Sequence, residues 1–312
     1  MLKTESALPR RKRNRLRKYI PLYLMMIPGL LYLIINNYIP MGGLFIAFKR
    51  INFSVGIFKS EWVGLSNFRY LFSTSDAWQI TRNTILYNIA FIACNTVLAV
   101  TMALILSELS CNGARRVYQS IVLLPYLISM VVVSYIAQAF LHSSYGFINK
   151  VLKSFGVSPV SWYTEAKRWP YILIFINSWK NVGYLSVIYY AAVIGVDREC
   201  LEAAEIEGAG KLRQITAIIV PLISPVIITM VLLAVGRIFY SDFGLFYHVP
   251  MNTGLLYSAT NTIDTYVYRG LMQQNNVGMS AAAGLYQSVV GFIVVLLANL
   301  LVRHTSPDNA LF

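Results

Sequence analysis

Apolar residues along this chain gather in blocks longer than the core of a soluble domain needs. A helix crosses a bilayer with about 20 predominantly apolar residues, more when tilted. Six segments reach that length, at roughly residues 19–38, 80–107, 117–140, 171–195, 216–240 and 281–302. Composition agrees: 57% of the 312 residues are hydrophobic and 12% are charged, where a soluble domain carries about a quarter charged. The pattern predicts an all-α membrane protein with six transmembrane helices. A tail, residues 1–18, precedes one transmembrane domain, 19–312, with no internal repeat and no separate soluble domain. Residues 39–79 are too long for a plain turn and begin with an apolar, glycine-broken stretch, Ile39 to Phe48. They read as an external or re-entrant continuation of the first span, followed by an interfacial helix.

Charge gives this picture a direction. The net charge is +13, and the first 18 residues hold eight Lys or Arg against one Glu. A basic cluster abutting an apolar span is held on the cytoplasmic side and attracted to anionic lipid, by about 1 kcal/mol per residue. The tail therefore reads as an anchor and topology signal and not as a nucleic-acid site. It is not a cleaved leader either, since no small-residue cleavage site follows the apolar stretch. Six crossings then place both termini inside, with short inner loops at 108–116 and 196–215 carrying Arg115, Arg116, Arg198, Lys211 and Arg213. The outer loops contain Trp62, Trp162, Trp169 and Tyr247 to Pro250, as interfacial segments do. Cys94, Cys111 and Cys200 lack metal-ligand spacing and predict no disulfide framework, and His142, His248 and His304 are scattered. No metal site is expected.

The inner loop at 196–215 differs from the rest. It contains Glu202-Ala-Ala-Glu-Ile-Glu-Gly-Ala-Gly210, with Pro221-Leu-Ile-Ser-Pro225 following inside the next apolar span. Ala203, Ala204 and Ala209 give a small-surfaced helix, Glu202, Glu205 and Glu207 keep one side in water, and Gly208 and Gly210 suit a turn. Pro221 and Pro225 interrupt the helical ladder and let the connected span bend. The arrangement reads as a lever. Glu202, Ala203, Ala204, Glu207, Gly208, Ala209, Pro221, Leu222 and Pro225 resemble, in order, the loop motif of permease subunits of binding-protein-dependent ATP-binding-cassette (ABC) importers. The motif's usual Asp is Glu207 here, and an aromatic common near the following helix is Ile215. A second run, with Tyr38-Ile-Pro40, Ala47-Phe-Lys49 and Trp62-Val-Gly-Leu65, resembles the carbohydrate-importing branch, notably members that serve complex oligosaccharides.

That resemblance implies a type I ABC importer permease fold in a bacterial cytoplasmic membrane. It also implies two ATPase subunits, a second homologous permease and an extracellular substrate-binding protein as partners. The chain itself lacks a phosphate-binding loop: Gly210-Lys211 is preceded by Glu205 where the loop needs Gly and followed by Leu212 where it needs Ser or Thr. It is therefore expected to bind no cofactor, ATP and Mg being used by the partner ATPase. Asp197 is placed to cap the lever helix, and Leu201 and Ala204, three apart, are expected to share the face that enters the partner's groove. Glu202 is expected to contact the ATPase or to tie the loop to nearby basic residues. Polar residues within spans are costly unless they face a neighbour, water or substrate, so Asn83, Gln138, Asn177, Trp179, Arg237, Tyr240 and Asp242 are the candidate substrate pathway. Amides and charges suit sugar hydroxyls and an aromatic plane suits a sugar ring, although Arg237 and Asp242 could simply pair with each other. Two rivals remain at this level: an importer of another solute, such as an amino acid or ion, which would use the same loop, and an integral-membrane transferase, which would need paired acids that the sequence does not show.

Overall fold

The computed structural model describes residues 13–305; residues 1–12 of the basic tail lie outside it. Helix α1 (Arg13–Leu33) continues through a π-turn at Ile34–Tyr38, α2 (Ile39–Met41) and a 3₁₀ stretch at Gly42–Phe48. Together they form one apolar span, Tyr19–Phe48, none of which is buried against the rest of this chain over its most apolar stretch. A short antiparallel pair follows, β1 (Lys49–Arg50) with β2 (Glu61–Trp62), Lys49 facing Trp62. Then come α3 (Ser66–Ser73), the 33-residue α4 (Ser75–Ser107), α5 (Asn112–Leu127), α6 (Met130–Leu141), α7 (Phe147–Ser154) and α8 (Trp169–Ile194). After the acidic helix α9 (Arg198–Ile206), α10 (Lys211–Gln214) runs through a second π-turn, Ile215–Ile219, into α11 (Val220–Val235). Three short helices, α12 (Phe243–His248), α13 (Tyr257–Thr260) and α14 (Ile263–Met272), lead to the last span, α15 (Val277–Thr305).

Among the described residues four helices are long and apolar enough to cross a membrane, and α5 with α6, bent by 96°, makes a fifth if the pair is one span. Helix α8 is long enough for a sixth but less apolar. At 26 residues it is about 39 Å long, and Asn177, Lys180 and Asn181 in its middle lower its hydropathy. Residues 117–140, expected as one crossing, are thus two helices joined at a sharp bend. The fifth crossing ends at Val235, before the 240 that the apolar pattern suggested, and turns through residues 236–239. Each π-turn ends two residues before a proline, Pro40 or Pro221. Widening the turn by one residue moves a carbonyl away from the proline ring.

In lipid, helix association rests on close packing and hydrogen bonds more than on burying apolar area. Ala99 and Ala103 of α4 are fully buried against Val182 and Tyr189 of α8. One turn above them, Asn95 Nδ2 donates to Asn177 Oδ1 at 2.9 Å. At the end away from the acidic loop, Leu245, Phe246 and Val249 of the α12 region close over Tyr87, Phe91, Val133 and Trp169.

Both breaks in the spans release backbone carbonyls that lipid cannot satisfy, and side chains from neighbouring helices take them. Lys180 Nζ of α8 donates to the carbonyls of Pro125 (3.3 Å), Tyr126 (3.0 Å) and Ile128 at the α5–α6 bend. Beyond α11, Asn88 Nδ2 donates to the carbonyls of Ile238 (2.9 Å) and Tyr240 (3.1 Å), and Gln287 Nε2 to that of Phe239 (2.6 Å). Asp264 completes this second junction by accepting from Ser241 N and Oγ at 2.6 and 2.7 Å.

Candidate functional site

The acidic loop is built as a short capped helix with a locked exit. Asp197 Oδ1 accepts from the backbone N–H of Glu199 at 3.0 Å, capping α9 as its position predicts. At the other end the N–H of Gly208 bonds the carbonyl of Glu205 (3.0 Å) and that of Ala209 the carbonyl of Ala204 (2.9 Å). This is the Schellman closure, and Gly208 occupies its left-handed position with φ +83°. Gly210 then caps α10, and buried Gln214 donates Nε2 to the carbonyl of Ala209 at 2.9 Å, fastening the exit to the next helix.

Leu201 and Ala204 share a face, but it is turned into this chain, which corrects the expectation that it enters a partner's groove. Ala204 is buried, and Leu201 packs on Val193 at the end of α8 and on Ile219 and Ile223 at the start of α11. The two apolar residues would otherwise sit in water beside a ready apolar seat, so burial at home wins. The outward face carries Glu202, Ala203, Glu205 and Glu207. It also carries Ile206, 88% exposed, and beyond the turn Leu212, 76% exposed. Neither was singled out from sequence; the available signal was an apolar residue in an otherwise charged, solvent-facing loop.

Glu202 lines a cavity of about 180 Å³ with Glu108, Arg198, Leu201, Glu205 and Lys211. Among the described residues no ion pair engages it. Lys211 instead meets Glu108 at 3.8 Å with both side chains largely exposed, which stabilises little but shows that the 108–111 and 207–211 loops lie together. Cys111 and Cys200 are therefore exposed on the same end of the molecule. Hydrogen bonds from the backbone of Ala114 and Gly113, with Arg115 nearby, hold the Cys111 thiol below the usual cysteine range. Pro221 stands in the first turn of α11 and Pro225 inside it, directly above this seat.

The pathway candidates are dispersed, with Asn83, Gln138 and Trp179 lining three different cavities. Asn83 is buried and donates to the carbonyls of Ser258 (3.1 Å) and Asn261 (3.0 Å), and the Asn177 side-chain oxygen accepts from Asn95. Asp242 caps α12 through the N–H of Leu245 at 3.1 Å and makes no ion pair with Arg237. Gln138 lines a polar cavity of about 270 Å³ with His142, Ser143, Ser161, Tyr163 and Thr253. Trp179 lines an apolar groove. Arg237 and Tyr240 are exposed beyond α11, with no side-chain partner among the described residues.

Comparison with known proteins gives this arrangement a family. The model for the "binding-protein-dependent transport system inner membrane component" matches residues 95–307, which include both bends and the whole acidic loop. Protein LplB of Bacillus subtilis (strain 168) is 33% identical over 288 residues, 92% of this chain and 90% of that protein. The polygalacturonan/rhamnogalacturonan transport system permease protein YteP of the same organism is 32% identical over 309 residues, 96% of this chain and 94% of that protein. A chain of the bacterial alginate ABC transporter, solved with an alginate pentasaccharide-bound periplasmic protein, superposes with a TM-score of 0.86 at 28% identity. The match covers 95% of this chain and 98% of that one. With its apolar helices and acidic loop, the chain belongs to the inner membrane components of binding-protein-dependent transport systems.

Proposed function

We propose that this chain is a permease subunit of an ATP-driven importer that passes an oligosaccharide inward. A receptor outside delivers the sugar, and a second permease completes the pathway. Two ATPase subunits, which use the ATP and Mg, grip α9 from the cytoplasm. The observation that carries the reading is the seat of α9. Leu201 on its inner face packs on Val193 at the end of α8 and on Ile219 and Ile223 at the start of α11, so a displacement of the acidic helix is delivered to two spans at once, the second softened by a π-turn and Pro225. Glu202, Glu205, Ile206 and Leu212 form the surface offered to the ATPase, with the helix held in shape by Asp197, Gly208 and Gln214. The carbohydrate assignment rests on relatives whose names specify polygalacturonan, rhamnogalacturonan and alginate. Gln138, Arg237 and Tyr240 are the pathway candidates whose side chains remain free to meet hydroxyl or carboxylate groups.

Orientation is tested with the native thiols. A membrane-impermeant maleimide should label Cys111 and Cys200 in inverted vesicles and leave them unmodified in intact spheroplasts. For Cys111 the rate should reach half its maximum at a lower pH than for a free cysteine. Labelling from outside would remove the ATPase from the acidic loop. Substrate class is tested by reconstituting the complete complex and measuring ATP-dependent accumulation of a uronate oligosaccharide, a neutral oligosaccharide and an amino acid. Accumulation of the amino acid alone would defeat the carbohydrate reading.

A further inference from the structure

The polar cavity beside Gln138 sits at the end of the molecule away from the acidic loop, where three segments meet. They are the end of α6 with His142 and Ser143, the stretch 161–164, and the loop 251–253. The volume of about 270 Å³ is close to the roughly 300 Å³ at which small-molecule sites begin. No Lys, Arg, Asp or Glu lines it. A carboxylate or ammonium entering it would lose hydration without meeting a counter-charge, whereas uncharged hydroxyls need only hydrogen-bond partners.

The polar groups around this cavity divide into two sets. One set fixes the walls and is engaged within the chain. Buried Asn149 donates Nδ2 to the carbonyls of His142 (3.3 Å), Ser143 (3.0 Å) and Val160 (2.8 Å), and its Oδ1 accepts from Val160 N (3.0 Å) and Trp162 Nε1 (3.2 Å). A single amide thus clamps the first wall to the second. The third wall contains Met251 and Asn252, left-handed at φ +54° and +45°, and a methionine held there costs about 1–3 kcal/mol. Buried Arg269 and the Tyr257 hydroxyl secure this turn, donating to Asn252 Oδ1 at 3.0 and 3.1 Å. The other set lines the cavity and is free. The side chains of Gln138, Ser143, Ser161 and Thr253 have no hydrogen-bond partner among the described residues. His142 joins them with its ring fixed, since Nδ1 accepts from the Ser144 N–H at 3.2 Å and Tyr145 stacks on it at 3.5 Å, which leaves Nε2–H as a donor. Tyr163 adds an aromatic ring to the lining.

Rigid walls that present free, uncharged donors and acceptors beside an aromatic ring meet the needs of a sugar ring. We propose that this cavity is a subsite for one uncharged monosaccharide unit at the outer mouth of the pathway, with Gln138, His142, Ser161 and Thr253 bonding its hydroxyls; this rests on the reading of the chain as an oligosaccharide permease. A uronate unit would be turned away for want of a cation, so the cavity distinguishes the uncharged units of a mixed oligosaccharide from the acidic ones.

The test uses the complete complex carrying Ser143→Cys, a position that is exposed and whose hydroxyl has no partner among the described residues. A membrane-impermeant maleimide is added from outside, and its rate of attachment to this chain is measured with the methyl glycosides of glucose, galactose, rhamnose and galacturonate. At least one of the three uncharged glycosides should slow labelling several-fold and saturably, while the galacturonate glycoside at the same concentration leaves the rate unchanged. Ser54→Cys, in the loop between β1 and β2, should label at a constant rate throughout. Adding Gln138→Leu should raise the half-protecting concentration about tenfold, the effect of leaving one sugar hydroxyl without its partner, and an unaltered rate without sugar will show that the walls still stand. Protection by none of the uncharged glycosides, or equal protection by galacturonate, would overturn the subsite and leave the permease reading in place. So would a thiol that labels in the isolated chain and not in the assembled complex, which would make the cavity part of a seam with a neighbouring subunit. Accumulation of the amino acid alone in the reconstituted complex would instead remove the permease reading for sugars, and the subsite with it.

Discussion

Replacing Lys180 by Met should lower the thermal unfolding midpoint of the detergent-solubilised chain by more than any exchange on its lipid-facing surface. The ammonium is donor to three carbonyls at the bend between α5 and α6. Methionine fills similar space and donates nothing. Each carbonyl left without a donor away from water costs about 1–3 kcal/mol, and lipid supplies no replacement. Because the bend relaxes in part, a net loss of about 2–4 kcal/mol is expected. Lys180→Arg keeps charge and donors and should lower the midpoint by less than half as much. The same crossing is tight one turn on, where a Cβ on Gly183 would lie 1.9 Å from the Val122 carbonyl oxygen. Gly183→Ala must therefore push α5 from α8, and since both variants act on one contact their effects should not add. An unchanged midpoint in Lys180→Met would mean that the bend is held by the stacked Tyr126 and Tyr184 rings, 4.7 Å apart, and not by the ammonium.

That bend also shows where sequence reasoning stops. Membrane spans are legible because lipid imposes a minimum length on any helix that crosses it, and each of the six apolar blocks falls mainly on helix in the structure. A break inside a block is not legible, because hydropathy averages over it: Ile128 and Ser129 are as apolar or small as their helical neighbours, yet they are extended. Once a span breaks, its free carbonyls recruit donors from other helices. Lys180, Asn88 and Gln287 are used in this way, and each reads in sequence only as a polar residue out of place. By the same reasoning Asn83 and Asn177 read as part of a substrate path; the Asn83 amide donates to the carbonyls of Ser258 and Asn261, and the Asn177 side-chain oxygen accepts from Asn95. At the acidic loop, spacing correctly grouped Leu201 with Ala204 and placed Asp197 as a cap. Which way that face points depends on the apolar seat made by Val193, Ile219 and Ile223, contributed by two other segments that no local pattern connects to it.

Gly208→Val should abolish most ATP-driven uptake while leaving insertion and subunit assembly intact. A Cβ at Gly208 would meet nothing within 4 Å, so the effect cannot come from crowding. It comes from the backbone, at φ +83°, where a β-branched residue is strained by about 1–3 kcal/mol. Relief requires opening the closure that joins Gly208 to Glu205 and Ala209 to Ala204, which also frees the Ala209 carbonyl that Gln214 holds. The last turn of α9, with Glu205 and Ile206 on its exposed side, then frays. If that turn is where the ATPase grips, hydrolysis should continue in the reconstituted complex while transport per ATP falls about tenfold, the equivalent of the lower part of that strain. Asparagine tolerates the left-handed region, so Gly208→Asn should transport at near the parental rate and Gly208→Ala at an intermediate one. Equal uptake by the Val and Asn variants would show that the shape of this exit does not matter to the motor, and the lever would have to be sought elsewhere on the same face.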